Sequence, residues 1–413
     1  MISPFRINYL ERQMDSRPYT NRIHSMDNLR AHLMLLGIVF HCALNYVTVP
    51  SELNFWYYAD TQKHFVFDLI TQVIHIFRMP LFFLVAGFFT ALLIRKIGRP
   101  AFINDRIKRV VIPFIAFLPI LFFACQLIFN SFPVFRAEMT AHFKFFVSDP
   151  TDFDLIHLWF LFYLSFCYSC LVALIYLLDR FFNLNSVVQG LPALWQGAGV
   201  FIWPALTTAI ILMNGSLHIE SQIRPLVEPQ LFLFYFIFFL AGFTYFHSDL
   251  ITRQPKSLNL ALSWVSSVLL FLLVSIGSQY YLSLPEEQRL LVFILCASLL
   301  SVFVWQLSLT VLNTYKKFFS FSSPSLKYAA DASYWVYLIH FPLCLLIPAM
   351  LAHLDISAIG KFSISVVVIS LICFSSYEWL VRYTFVGKFL NGKQRVRANS
   401  AIVEPLQVQS VEH

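Results

Sequence analysis

Ten separate runs of apolar residues, each of membrane-crossing length or close to it, constrain this chain more than any motif does. A hydrocarbon core about 30 Å thick needs roughly 20 apolar residues in a helix. The runs fall at about 29–49, 69–94, 110–130, 156–178, 198–213, 230–247, 258–281, 290–312, 333–353 and 361–383. The fifth is the shortest and holds Pro204, which a membrane helix tolerates. In lipid every backbone N–H and C=O must be bonded within its own segment. Runs of this length therefore predict an all-α, polytopic integral membrane protein with about ten transmembrane helices. Only 12% of residues are charged and 58% are hydrophobic, against about 25% charged in soluble domains. A soluble fold is excluded.

The placement of Lys and Arg predicts the topology. Loops alternate in basic content: the two ends and every second loop carry 22 of the 29 Lys and Arg. The positive-inside rule then puts both termini in the cytoplasm. The net charge of +7 is thereby a topological signal, and no nucleic acid partner is expected. All seven cysteines lie inside apolar runs, so neither a loop disulfide nor a metal site is expected. Cys167 and Cys170 form a CxxC in mid-span and read as helix filler. The first run is too long for a signal-peptide core and reads as the first span, with no cleaved leader. The chain divides into a cytoplasmic N-terminal segment (1–26), a transmembrane domain (27–390) and a polar, disordered cytoplasmic tail (391–413). No internal repeat and no Gly-rich phosphate loop is present.

Chemistry is concentrated in the few polar groups inside the apolar runs, where an ionisable side chain is costly and marks function by default. Asp27-Asn28-Leu29-Arg30 opens the first run, and His41 stands near its middle. Eleven residues separate Arg30 from His41, which is three turns plus about 20°, so both share one face about 16 Å apart. The second run carries His75 and Arg78. Arg78 cannot deprotonate and needs a partner or a polar cavity. Glu378 has Arg382 at i+4 as its own mate, so Arg78 is expected to face a cavity at the level of His41. His157 and Trp159 open the fourth run, Trp159 as an interfacial belt residue. His340 lies near mid-depth in the ninth run, followed by Pro342. His41, His75 and His340 with Arg78 read as the lining of one cavity. The basic loop 95–109, with Arg106 and Arg109, attracts anionic lipid or a nucleotide-like anion. The opposite face is acidic (Asp60 and Asp154 among others). Its Phe55-Trp56-Tyr57-Tyr58 run reads as a belt, with a sugar-stacking platform as the weaker reading.

Taken in order, several pieces resemble the membrane-bound acyltransferase-3 family. They are Asp27 and Arg30 with His41 in an R-x10-H arrangement, FRMPLFFLVAGFF after His75, HLWFL at 157–161, and YLIHFPL at 337–343. The resemblance covers about residues 24–390. One departure is Ala86-Gly87, where many members have Ser-Gly, so no hydroxyl role is expected there. Within the family the similarity is to members that succinylate osmoregulated periplasmic glucans, resting on RAHLMLLGIVFH, HIFRM, HLWFL and YEWLVR. The resemblance implies a bacterial inner-membrane O-acyltransferase with no bound cofactor. Its co-substrate is acyl-CoA, succinyl-CoA in particular. Its partners are periplasmic glucan, membrane lipid and other glucan-synthesis proteins. The CoA head would bind a basic mouth of Arg30, Arg106 and Arg109, with Asp27 orienting Arg30. His41 would act as general base or as transient acyl carrier, both roles remaining open. Arg78 would hold an oxyanion or the succinyl carboxylate. His340 and His157 stand behind His41, and His75 and Trp159 are further candidates for contact with substrate. Two rivals remain: O-acetylation of lipopolysaccharide or another surface glycan, and, from another class, a multi-span glycan or lipid-linked sugar transporter.

Overall fold

The computed structural model describes residues 23–48, 56–140, 154–182, 184–218 and 225–392. Most of the N-terminal segment, the tail beyond Gly392 and Phe55 of the aromatic run lie outside the described residues. Every regular element among the described residues is helical. Ten helical segments are long and apolar enough to cross a membrane. They match the ten apolar runs one for one, the fifth included.

The spanning helices are α1 (His24–Ala43), α2 (Phe65–Ile97), α3 (Ile112–Ser131), α4 (Trp159–Phe181) and α5 (Ile202–Asn214), then α6 (Pro229–His247), α7 (Ser257–Ser283), α8 (Arg289–Phe318), α9 (Pro324–Leu351) and α10 (Ala358–Ser376). Their ends follow local chemistry. The His64 side chain accepts from the Val66 N–H at the start of α2, and Gly98, with φ +77°, ends it. Ser323 caps α9 and Ser357 caps α10 by accepting backbone N–H groups of the first turn. A short helix (Arg99–Arg106) and one π-helical turn (Ile107–Val111) lead into α3.

α2 and α6 form the tightest crossing. A Cβ on Gly87 would lie 1.9 Å from the Phe239 carbonyl oxygen, and one on Gly242 would lie 1.8 Å from that of Leu84. Small residues permit such backbone approach, which drives helix association where lipid removes the hydrophobic driving force. Gly87, beside the position lacking the family's hydroxyl, is thus part of a helix crossing. α1 packs along α9 and also touches α2, α8 and α10, which places it centrally. α7 turns its exposed Leu258, Leu262, Leu269, Leu272 and Ile276 outward, as a lipid-facing helix does.

Three expectations change. The first span begins at His24 and ends at Tyr46, so His41 sits in the last turn of α1 rather than mid-span. The run 56–58 is neither belt nor exposed platform, because Trp56, Tyr57 and Tyr58 are all buried. It folds back over the end of α1. Asp60, expected on the acidic outer face, is fully buried against Lys361 of α10, with Nζ 2.9 Å and 3.1 Å from its two carboxylate oxygens. The Tyr58 hydroxyl also donates to Asp60, at 2.6 Å, and the Asp60 N–H donates to the Asn45 carbonyl.

Candidate active site

Four elements bring three imidazoles and a guanidinium together inside the bundle. The His41 ring lies 5.4 Å from the His340 ring, and His340 lies 5.0 Å from His157, centroid to centroid. Arg78 reaches the same place. Over Gly37, one turn before His41 on α1, an added Cβ would meet His340 Nε2 at 3.1 Å and Arg78 Nη1 at 3.3 Å. Sequence reasoning placed His41, Arg78 and His340 here, and the structure brings them together. His157 also enters, from the one-turn helix (Ile156–Leu158) that precedes α4. His75 does not: it is exposed on α2 and stacks on Phe40, at 5.9 Å.

Backbone carbonyls set the tautomers. His340 Nδ1 lies 2.7 Å from the Tyr337 carbonyl and 3.1 Å from that of Val336. Both are acceptors, so in the neutral ring Nδ1 carries the proton and Nε2 keeps its lone pair. His157 Nε2 is 2.9 Å from the same Tyr337 carbonyl, so its Nδ1 is the bare nitrogen. One carbonyl therefore orients two rings, and the Tyr337 hydroxyl donates back to the His157 carbonyl, at 2.9 Å.

The site is unsatisfied as it stands. His41 Nδ1, Arg78 Nη1, His157 Nδ1 and His340 Nε2 are buried with no hydrogen-bond partner. A few such atoms are tolerated across a whole protein, and each costs stability. Four in one place mark a buried polar recess. Arg78 has no carboxylate mate among the described residues. It lies over the Phe40 ring, 5.1 Å from its centroid, and contacts Met79 Sδ. Glu378 is taken by Arg382, at 2.7 Å, as its spacing foretold.

An aromatic cover closes one side. Trp56 stacks on His41, 5.3 Å away at 18°, and donates its indole N–H to Asn45 Oδ1, at 2.8 Å. Asn45 in turn donates to the carbonyls of His41 and Cys42. Phe341 stacks on His157 at 5.0 Å and meets His41 edge-on. Tyr57 donates to Asp154, at 3.1 Å. Burial first, and the Asp154 carboxylate second, push the Tyr57 phenol well up, so it stays protonated and donating. Asp154 Oδ1 also accepts the Ile156 N–H, at 2.6 Å. Ile156 has φ +54°, a left-handed conformation that is strained for a β-branched residue. That strain sits immediately before His157, where function commonly stores it.

The remaining candidates lie elsewhere. Arg30 stands beside Asp27, at 3.6 Å, and over the Phe89 ring. Arg106 pairs with Asp105 and reaches the Tyr168 hydroxyl, at 3.5 Å. Arg109 pairs with the same Asp105, at 3.0 Å. Trp159 is not a belt residue: it is buried against Tyr163 and Tyr235. A tyrosine series joins the basic end to the recess. The Tyr334 hydroxyl donates to the Arg109 carbonyl, Tyr334 stacks on Tyr337 at 6.4 Å, and Tyr337 holds both histidines. Asn45, Tyr337 and Gly37 escaped sequence reasoning as site residues, and Trp56 entered it only as part of a belt or a sugar-stacking platform. Asn45 and Gly37 each stand four residues from His41, a spacing that could have drawn attention to them.

The model of an acyltransferase domain, the acyltransferase-3 family, matches residues 23–378. The chain belongs to the acyltransferase-3 family. Its relatives include the glucans biosynthesis protein C of Salmonella paratyphi B and that of Salmonella heidelberg. Each is 25% identical over 396 residues, covering 92% of this chain and 97% of the relative. No solved structure matches. As a multi-pass membrane acyltransferase, the protein needs an acyl donor and an acceptor. The family match spans every residue of the recess, from Gly37 to Phe341.

Proposed function

We propose that this acyltransferase moves a succinyl group from succinyl-CoA, arriving from the cytoplasm, to hydroxyls of a periplasmic glucan. It does so in the bacterial inner membrane with both termini in the cytoplasm. The observation that carries this reading is the recess of four buried, unpartnered polar atoms inside a bundle of ten helices of membrane-crossing length. A glucan substrate is supported by the relatives' name and by alignment over nearly their whole length.

His41 is the ring that accepts the acyl group. Its bare nitrogen attacks the thioester carbon, the C–S bond breaks, and the ring's other N–H proton ends on the departing sulfur. Arg78, held without a carboxylate, faces the charge: the carbonyl oxygen as it becomes an oxyanion, or the free carboxylate of the succinyl group. Arg106 and Arg109 receive the phosphates at the basic end together with Arg30, and the tyrosine series leads the donor arm inward. Trp56 covers the outer side, so water is kept from the acylated ring.

The test is His41→Ala with membrane expression confirmed. Purified wild type given labelled succinyl-CoA without glucan is expected to hold label on the protein, and with glucan to pass it on. The variant is expected to do neither. Undiminished transfer by His41→Ala would remove His41 from the chemistry.

A further inference from the structure

We infer that Gly37 forms the floor of the seat in which the acceptor hydroxyl is held, a role no sequence motif assigns to it. The inference rests on the acyl-transfer reading above and adds the second substrate's position. Gly37 is buried inside α1, where glycine costs roughly 1 kcal/mol relative to alanine. The cost has no backbone crossing to explain it. At Gly87 and Gly242 the missing methyl makes room for a neighbouring carbonyl. At Gly37 it makes room for two unpartnered side-chain atoms, His340 Nε2 at 3.1 Å and Arg78 Nη1 at 3.3 Å.

The two atoms are of opposite kind. The backbone carbonyls of Val336 and Tyr337 hold the His340 proton on Nδ1, so Nε2 can only accept. Arg78 Nη1 can only donate. A carboxylate would satisfy Arg78 and leave Nε2 facing a second acceptor. A ligand N–H would do the reverse. A hydroxyl satisfies both, donating its proton to Nε2 and accepting from Nη1–H. A sugar hydroxyl is therefore the chemical group this seat fits.

The seat also sets the second half of the reaction. The hydroxyl oxygen attacks the acyl carbon on His41, the C–O bond forms, and the bond from that carbon to the His41 nitrogen breaks. The hydroxyl proton goes to His340 Nε2 and passes on to the released His41 nitrogen, so both rings finish neutral. The ring centroids are 5.4 Å apart, which suits such a transfer. His340 is thus the base of the deacylation step, and His41 the acyl carrier.

Gly37→Ala tests this. The added methyl fills the seat while favouring the helix. Labelled succinyl-CoA is expected to leave label on the variant protein as on wild type, whereas transfer to glucan falls at least about 100-fold, the usual scale of general-base catalysis. Thermal unfolding is measured alongside, because the methyl stands 3.1 Å and 3.3 Å from two buried side-chain atoms that must give by a few tenths of an ångström. Transfer within twofold of wild type would overturn the inference. Should the alanine variant fail to fold, His340→Gln takes its place. Accumulated label with transfer lost supports the seat, and transfer retained overturns it. Absence of label on wild type itself would instead refute the acyl-carrier reading of His41.

Discussion

Asp60→Asn probes the fastening of the aromatic cover, and its cost can be worked from the geometry. Asp60 and Lys361 have side-chain exposures of 0% and 1%, with Nζ 2.9 Å from Oδ2. At that separation and an effective dielectric of about 20, the attraction is about 6 kcal/mol. The asparagine oxygen keeps one hydrogen bond, worth about 1 kcal/mol, and Lys361 still donates to the Ala352 carbonyl. A net loss of about 3–5 kcal/mol follows, in line with removal of one partner from a buried pair. The double variant Asp60→Asn, Lys361→Met removes the stranded cation and is expected to recover at least about 2 kcal/mol of it. Unfolding can be followed in detergent with a thiol-reactive dye, because Cys42, Cys125, Cys167, Cys296, Cys344 and Cys373 are all free and buried. Asp60 also braces the 56–58 run through Tyr58 and Asn45, so transfer activity should fall alongside stability. A single-variant loss below about 1 kcal/mol, or a double variant no better than the single, would refute the reasoning.

Three further outcomes follow from the packing. Trp56→Phe keeps the stack on His41 but leaves buried Asn45 Oδ1 without its donor, a cost of about 1–3 kcal/mol; unfolding and transfer rates should both register it. Gly87→Ala drives a methyl into the Phe239 carbonyl and should collapse expression. Gly190→Ala, with nothing within 4 Å of its added Cβ, should stay within about 0.5 kcal/mol of wild type by the same assay.

Much of the candidate site could be read from residue types alone. His41, Arg78 and His340 were legible because an ionisable group in an apolar run is rare and must be accommodated. Glu378 with Arg382 was legible because i+4 spacing is a local helical contact. His75 misled because it shares that rarity while pointing outward, and a hydropathy profile carries no rotation about the helix axis. Trp56 and Trp159 misled in the opposite sense. Aromatic residues at a span's edge usually meet headgroups, yet here the loop before α2 and the turn before α4 fold inward and bury both rings.

The amino-acid sequence by itself determined the number of spans, the alternation of basic loops and the polar residues that had to be sheltered from lipid. Hydrophobic length and charge placement are properties of a chain in order, and the bilayer acts on each segment separately. Only the tertiary structure decided that His157 joins the recess, that the Tyr337 carbonyl orients two rings, and that Gly37 lies against both His340 and Arg78. These depend on contacts between helices distant in the chain, where helix rotation and depth decide which atoms meet.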